Sequence, residues 1–359
     1  MNIPDTVVAT LDAGGTNLVF SLVENGNINN ETVNLPTASE NITGFLKKII
    51  HGFETLQNKS TKKISAISFS FPGPADYEEG IIGDLENLPF FRGGVPLKKI
   101  LENKFKIPVF INNDGDLFAL GEAMHGFLPE INLHAPKVYK NLLGVTLGTG
   151  FGGGIVSNGE LFTGDNSAAA EINRMSSYQN REQSVEEVLS IRGIRYLFAK
   201  EANTGFEQTP QPYDIFRIGK GEIEGNKEAA KNAWKQFGEE LGNALANAVT
   251  LTDSCVVIGG GLSGAYPLFL QTAVNKMNGL FKRKDGGNVQ RMEIFAYNYE
   301  NDDCRNDFLK DEKTIIEVPF SEESVPFRKN KKIAVGISRL NTSNAVALGA
   351  YSFAKKMLY

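Results

Sequence analysis

Apolar positions in this chain alternate between short unbroken runs that end on glycine-rich turns and longer stretches with helical spacing. The first run, Thr6 to Leu11, is rich in β-branched residues and ends on Asp12-Ala13-Gly14-Gly15-Thr16-Asn17. A second run, Leu18 to Val23, follows at once and ends on the turn Glu24-Asn25-Gly26-Asn27. Strand, glycine turn, strand and turn predict a hairpin, not the strand–helix opening of a dinucleotide fold. Phe45, Leu46, Ile49, Ile50 and Phe53 predict a helix over 42–56. A buried strand over 64–71 leads into the rigid turn Pro72-Gly73-Pro74. A short amphipathic helix is predicted over 95–105, with Pro96 in its first turn. A strand over 108–111 then ends on Asn112-Asn113-Asp114-Gly115-Asp116, before a helix over 117–126.

The pattern then recurs. A strand over 141–147 ends on Gly148-Thr149-Gly150-Phe151-Gly152-Gly153-Gly154, and Ile155-Val156 and Leu161-Phe162 flank a second turn, Ser157-Asn158-Gly159-Glu160. Strand, glycine loop, strand and turn therefore open both halves, which suggests two lobes of related topology. Long helices are predicted over 185–200 and 229–251, and a buried strand over 254–258 feeds Gly259-Gly260-Gly261. Helices over 268–280 and 345–357 complete the reading. Residues 282–332 alternate short strands with charged, irregular sequence and give no clear pattern.

The chain has 359 residues, long enough for two lobes with a large buried core. A formal net charge of −5 and only two short basic stretches, 282–284 and 328–332, give no footprint for nucleic acid. Cys255 and Cys304 are isolated and His51, His125 and His134 lack metal-ligand spacing, so neither a disulfide framework nor a zinc site is expected. No apolar run reaches the length of a membrane span and no signal pattern opens the chain. A cytoplasmic protein with no membrane partner is the expectation.

The glycine loops suggest phosphate chemistry. A glycine turn lets backbone N–H groups approach phosphate oxygens without a Cβ in the way. Asp12, beside Gly14, Gly15, Thr16 and Asn17, offers a carboxylate for Mg²⁺ and donors for a phosphate. Residues 148–153 satisfy G-x-G-x-x-G, but a strand and turn follow where a dinucleotide site requires a helix. No G-x-x-x-x-G-K-[ST] is present, which excludes a P-loop. Gly259-Gly260-Gly261 suits a nucleotide contact or a simple strand-to-helix turn. Asn113-Asp114-Gly115, taken alone, reads as a side-chain-stabilised turn; at a strand end among these loops it becomes a candidate catalytic group.

In this order the motifs resemble those of the ROK family of sugar kinases, within the superfamily of hexokinase, actin and the heat-shock ATPase. Asp12-Ala13-Gly14-Gly15-Thr16 matches the first phosphate motif and Pro72-Gly73-Pro74-Ala75-Asp76 the P-G-P-x-D turn. Asn87-Leu88-Pro89, Gly94-Val95-Pro96-Leu97, Leu101-Glu102, Phe105, Pro108-Val109, Asn113-Asp114 and Leu120-Gly121-Glu122 continue the match. Gly148, Thr149, Gly150 and Gly152 resemble the second phosphate loop, and Gly259, Gly260 and Gly261 the adenosine loop.

The resemblance implies an α/β fold of two ribonuclease-H-like, actin-like ATPase lobes with an interlobe cleft. The expected division is a smaller lobe, 1–115, completed by the final helix 343–359, and a larger lobe, 116–342. Asp114 is implied as the base that takes the proton of a sugar hydroxyl, Asn113 as its neighbour on the sugar, and Gly73 and Asn87 as further sugar-site residues. ATP and Mg²⁺, with Asp12 on the metal, are the implied partners.

The pattern also breaks. Many members follow the second loop with E-x-G-H and a cysteine-rich zinc motif. Here Glu171 keeps the first position, Asn173 and Arg174 replace the glycine and histidine, and the cysteines are missing, so no structural zinc is expected. Ser184 to Ser190 resembles the helix that carries the last sugar-binding glutamate, with Glu186 the better match and Glu187 the alternative. An exposed helix charge is the plain alternative for Glu186. Arg174 brings a permanent cation near the sugar. The implied activity is glucose to glucose 6-phosphate, with an N-acetylhexosamine or other hexose as alternative substrate, and a non-catalytic sugar-binding regulator as a further one. Glycolysis is the implied setting and a homodimer the common expectation.

Overall fold

The computed structural model describes residues 6–13, 17–29 and 31–359. By internal contacts the chain forms two compact units. The first comprises the stretch up to Gly126, Gly154–Ala170 and Arg339–Tyr359; the second comprises Phe127–Gly153 and Glu171–Ser338.

The first unit is built on a sheet ordered Asn27–Ile28, Asn17–Glu24, Val7–Ala13, Ala66–Ser70 and Val109–Asn112, with Val33–Pro36 also paired to Asn17–Glu24. The hairpin is antiparallel, whereas Val7–Ala13, Ala66–Ser70 and Val109–Asn112 run parallel. Continuous apolar runs in the central strands reflect a sheet covered on both faces. Side chains alternate accordingly along the first strand. Val7, Ala9 and Leu11 join a core with Phe45, Ile49 and Phe53 of the helix Ile42–Lys59. Val8 faces the other way, onto Leu348, Tyr351 and Ala354 of the helix Thr342–Leu358.

That last helix packs on the helix Asp114–His125 through glycines. A Cβ on Gly121 would stand 1.9 Å from the Ala345 carbonyl oxygen, and one on Gly349 1.9 Å from that of Leu117. Only glycine permits this approach. The expected boundary at 115/116 falls inside the helix Asp114–His125, so the first unit extends to Gly126 and also takes in 154–170.

The second sheet is ordered Glu160–Leu161, Phe151–Ser157, Leu142–Leu147, Cys255–Gly259, Lys332–Ile337 and Phe295–Asn298. Its last four strands are parallel, and Phe151–Ser157 carries the chain on from the second unit into residues 154–170 of the first. A hairpin followed by parallel strands thus recurs, as the duplicated sequence pattern suggested, and it is the ribonuclease-H-like plan that the family resemblance implied. The helices Lys227–Thr252 and Tyr266–Met277 pack closely, with Trp234, Phe237 and Phe269 as an aromatic cluster.

Several local readings need correction. Val95–Pro96 is a short strand and Pro96 the cap before the helix Leu97–Phe105, because its side of a three-stranded ribbon pairs with Ile81–Ile82. The stretch read as one helix over 185–200 is a short 3₁₀ turn, Val185–Glu187, then the helix Ile191–Ala202. The Ser190 side chain accepts from Gly193 N and starts the true helix there. Residues 282–332 include the helix Asp302–Leu309 and a hairpin, Lys313–Glu317 with Ser324–Arg328. Among the described residues no helix is long and apolar enough to cross a membrane.

Candidate active site

The strand Val109–Asn112 delivers Asn113 and Asp114 to the start of a helix. Asn113 is the N-cap, its side chain accepting from Gly115 N at 2.8 Å. Asp114 is therefore the first helical residue, not a turn residue before a helix at 117. Its Oδ1 also accepts from Gly115 N, at 2.8 Å. The carboxyl stays accessible to solvent, yet protein atoms crowd it closely. This enclosure pushes its pKa above the ordinary carboxylate value; the Gly115 N–H opposes the shift, and the charge of Asp12 adds to it.

Asp12 lies within the strand Val7–Ala13, opposite Val19, and accepts a hydrogen bond from Ser343 Oγ at 2.6 Å. The first unit thus brings Asp12, Asn113, Asp114 and Ser343 to one region. Ser343 carries no motif; its only sequence signal is a place in the first turn of the last helix. Gly14, Gly15 and Thr16 lie outside the described residues, and Asn17 begins the second strand with an exposed side chain.

Of the remaining first-unit candidates, Gly73 follows the strand Ala66–Ser70 at the end that pairs with Val109–Asn112, two residues after Phe71, whose N donates to Asn112 O at 3.0 Å. Gly73 is exposed in a turn with a cis Gly73–Pro74 bond, and a Cβ there would meet Tyr77 Oη at 3.2 Å. Asn87 lines a hollow of about 700 Å³ with Thr37, Ser39, Glu40 and Phe90, to which neither Gly73 nor Asp114 contributes.

In the second unit the two glycine loops are physically joined. Gly148 N donates to Gly150 O at 2.9 Å, closing the loop, and Ile191 N donates to Gly148 O at 2.8 Å. Gly260 adopts φ +86°, and a Cβ on it would stand 2.3 Å from the Leu147 carbonyl oxygen. Leu262 N also donates to Leu147 O, at 3.0 Å. Open space lies where Gly148 and Gly261 would carry a Cβ. Gly152 is a strand residue beside Thr146, so the loop proper is Gly148-Thr149-Gly150.

The two glutamate alternatives separate. Glu186 Oε2 accepts from Phe151 N at 2.9 Å, immediately after the loop. Glu187 instead pairs with Arg192. Glu186 sits on the 3₁₀ turn, not on the helix that sequence spacing suggested. Glu171 and Arg174 flank another 3₁₀ turn, Ile172–Arg174, and both are exposed. Among the described residues neither side chain has a hydrogen bond or ion pair, so the Arg174 guanidinium is available to a ligand.

Sequence reasoning missed Glu240. It is fully buried on the helix Lys227–Thr252, and its carboxylate accepts from Tyr178 N at 2.7 Å and Gln179 N at 3.2 Å. Ser177 Oγ accepts from Gln179 N and Asn180 N in the same turn. These bonds fix the turn 177–180 against the helix Lys227–Thr252. A Glu in a helix has no sequence mark that distinguishes it from a solvated charge, so only the fold exposes this role.

A nucleotide and Mg²⁺ fit these residues. The ground over Gly148 and over Gly261 is open, which leaves room for phosphate oxygens to approach the backbone there. Asp12 and Asp114 repel one another, a cost that a hard, oxygen-seeking cation would relieve. Among the described residues no cluster of three or more His, Cys, Asp or Glu could hold a metal by itself.

Residues 8–303 match the model of the ROK family. A glucokinase of Halalkalibacterium halodurans is 32% identical over 174 residues, which is 46% of this chain and 48% of that one, so the matched stretch spans about half of that relative. An N-acetyl-D-glucosamine kinase of Vibrio parahaemolyticus is 29% identical over 273 residues, 70% of this chain and 83% of that one. Among solved structures, a glucokinase from Parabacteroides distasonis superposes with a TM-score of 0.89 at 43% identity, covering 99% of both chains.

Proposed function

The chain belongs to the ROK family, and from that membership we propose that it transfers a phosphoryl group from ATP to a hexose hydroxyl, with the 6-hydroxyl of glucose as the preferred acceptor. It is an ATP-dependent sugar kinase. The observation that carries the reading is the placement of Asp114, held at a helix start by its Gly115 hydrogen bond, enclosed, and raised in pKa by that enclosure and by Asp12.

A sugar hydroxyl is a poor nucleophile, and a carboxylate of raised basicity within hydrogen-bond reach takes its proton as the phosphoryl group arrives. Asn113, beside Asp114, is assigned to the sugar; Gly73, Asn87, Glu171 and Arg174 are retained as sugar-site candidates on the family resemblance alone. Gly148-Thr149-Gly150 and Gly259-Gly260-Gly261 are assigned to the nucleotide. Asp12, oriented by Ser343 Oγ, is the carboxylate for Mg²⁺. Magnesium bound with the nucleotide supplies neutralisation of phosphate charge. Glu186, which holds the Phe151 N–H, shapes the phosphate loop from behind and is also retained as a sugar-site candidate.

Glucose is preferred because the 43%-identical relative that covers the whole chain is a glucokinase. The second reading, an N-acetylhexosamine kinase, has its own support in the Vibrio enzyme and in the exposed, unpaired Arg174 where a histidine was expected. Coupled measurement of ADP release with glucose, mannose, N-acetylglucosamine and N-acetylmannosamine separates the two. The highest kcat/KM is expected with glucose. A higher value with an N-acetylhexosamine replaces the substrate assignment, and no sugar-stimulated ADP release at all refutes the kinase reading.

A further inference from the structure

The hairpin formed by Lys313–Glu317 and Ser324–Arg328 is a two-stranded sheet by itself, and every residue of both strands is exposed. A lone two-stranded hairpin is marginal in water. This one displays Ile315 at 64% exposure, with Val325 and Phe327 also exposed, and carries a wholly exposed Phe320 at its tip. Phe320 sits at φ +66°, an unfavourable conformation for an aromatic residue. The hairpin lies beyond the stretch that matches the family model.

Its two outer edges differ. The register sets Ile315 against Pro326, and Val318 N donates to Glu323 O at 2.9 Å. Hydrogen-bonded and non-bonded pairs alternate in an antiparallel ladder. Thr314 and Ile316 therefore bond inward, while Lys313, Ile315 and Glu317 turn their N–H and C=O groups outward. Pro326, which has no N–H to give, blunts the centre of the opposite edge. One edge is closed to pairing and the other has its full set of donors and acceptors.

We propose that the Lys313–Glu317 edge pairs, antiparallel, with the same edge of a second copy of this chain, about a two-fold axis through Ile315. The sequence Lys-Thr-Ile-Ile-Glu is self-complementary in that register. The outward groups of Ile315 bond to those of its mate, and those of Lys313 to those of the second copy's Glu317. The side chains of each Lys313–Glu317 pair then stand side by side on one face as opposite charges. Lys313, which pairs with Asp311 at 3.1 Å in the single chain, bridges two carboxylates in the pair. Phe320, five residues from the axis, reaches the base of the other hairpin. There Arg328 Nη2 donates to Pro136 O at 3.3 Å, and Val138 lies exposed two residues on.

Sedimentation equilibrium of the full chain tests this with Lys313→Glu, Glu317→Lys, the double exchange and Ile315→Pro. Wild type is expected to be dimeric. Each single reversal places like charges in both cross-strand pairs and raises the dimer dissociation constant on the order of tenfold. The double exchange restores it, and an equimolar mixture of the two single variants associates about as tightly as wild type. Ile315→Pro removes both central N–H donors without touching the hairpin's own bonds, and abolishes pairing. Circular dichroism and kinase activity report whether each variant is folded. A monomeric wild type, which would leave the edge to some other protein, overturns the proposal. So does a dimer indifferent to these changes, or a mixture of single variants that fails to associate.

Discussion

Replacing Asp114 with Asn separates basicity from position. The Asn Oδ1 can still accept from Gly115 N, as Asp114 Oδ1 does at 2.8 Å, and the Asn113 cap on that same N–H is untouched. Side-chain position is therefore kept while the proton acceptor is lost. General-base catalysis contributes about 10²–10⁴-fold, or about 2.7–5.5 kcal/mol of barrier, so kcat should fall by that factor with little change in the KM for sugar. Stability should move the other way. The folded-state pKa of Asp114 lies above its ordinary value, so the fold favours the neutral carboxyl. That contribution is fully present below the unfolded carboxylate pKa of about 4 and is lost as pH rises through the folded value. At pH 7 the ionised group costs stability, and the Asn variant should melt higher. The gap should narrow as pH falls towards 4. In wild type, kcat/KM should rise with pH through the raised pKa, and the variant should lack that acidic limb. Coupled ADP release and differential scanning calorimetry across pH read both effects. Turnover within tenfold of wild type, or a lower melting temperature at pH 7, refutes the reasoning.

Three further outcomes follow from the packing around the site. Gly121→Ala, whose Cβ would stand 1.9 Å from the Ala345 carbonyl, should destabilise by about 1–3 kcal/mol or more and lower the melting temperature measured by calorimetry. Glu186→Ala leaves the Phe151 N–H without its carboxylate and should raise the KM for ATP more than that for sugar; the opposite split in steady-state kinetics would favour a sugar contact. Glu240→Ala strips the acceptor from Tyr178 N, while Gln179 N keeps Ser177 Oγ, at about 1–3 kcal/mol for the donor left unsatisfied; urea unfolding should show this, and a loss below about 1 kcal/mol would mean that the turn is held some other way.

The sheets and most long helices were legible because their apolar runs and spacings answer to single local rules. The strand Val109–Asn112 and the helix Thr342–Leu358 are examples, and the ordered motifs carried the family. Boundaries failed where a neighbour decided the outcome. Pro96 became a strand residue because it pairs with Ile81, and the helix expected from 185 waits for the Ser190 cap. Ser343, Glu186 on its 3₁₀ turn and Glu240 act through partners distant in sequence, Asp12, Phe151 and the Tyr178 turn. No window of sequence contains both ends of such a bond. The missing cysteines were visible in the sequence, but the buried Glu240 that holds the turn at Tyr178 was not.

The division of the first unit among three stretches has a consequence for biosynthesis. Glu122, in the Asp114 helix, accepts from the backbone N–H groups of Arg339 and Leu340, and Gly349 receives that helix from the other side. A ribosome makes the Asp114 strand and helix early, then roughly two hundred residues, mostly of the second unit, before the stretch Arg339–Tyr359 that covers them. During that interval Val8, Val23 and Ala66 have no partner helix on their face of the sheet. The nascent chain therefore carries an open apolar sheet until near the end of translation. Chaperone demand and the timing of first activity should both follow the emergence of those last residues.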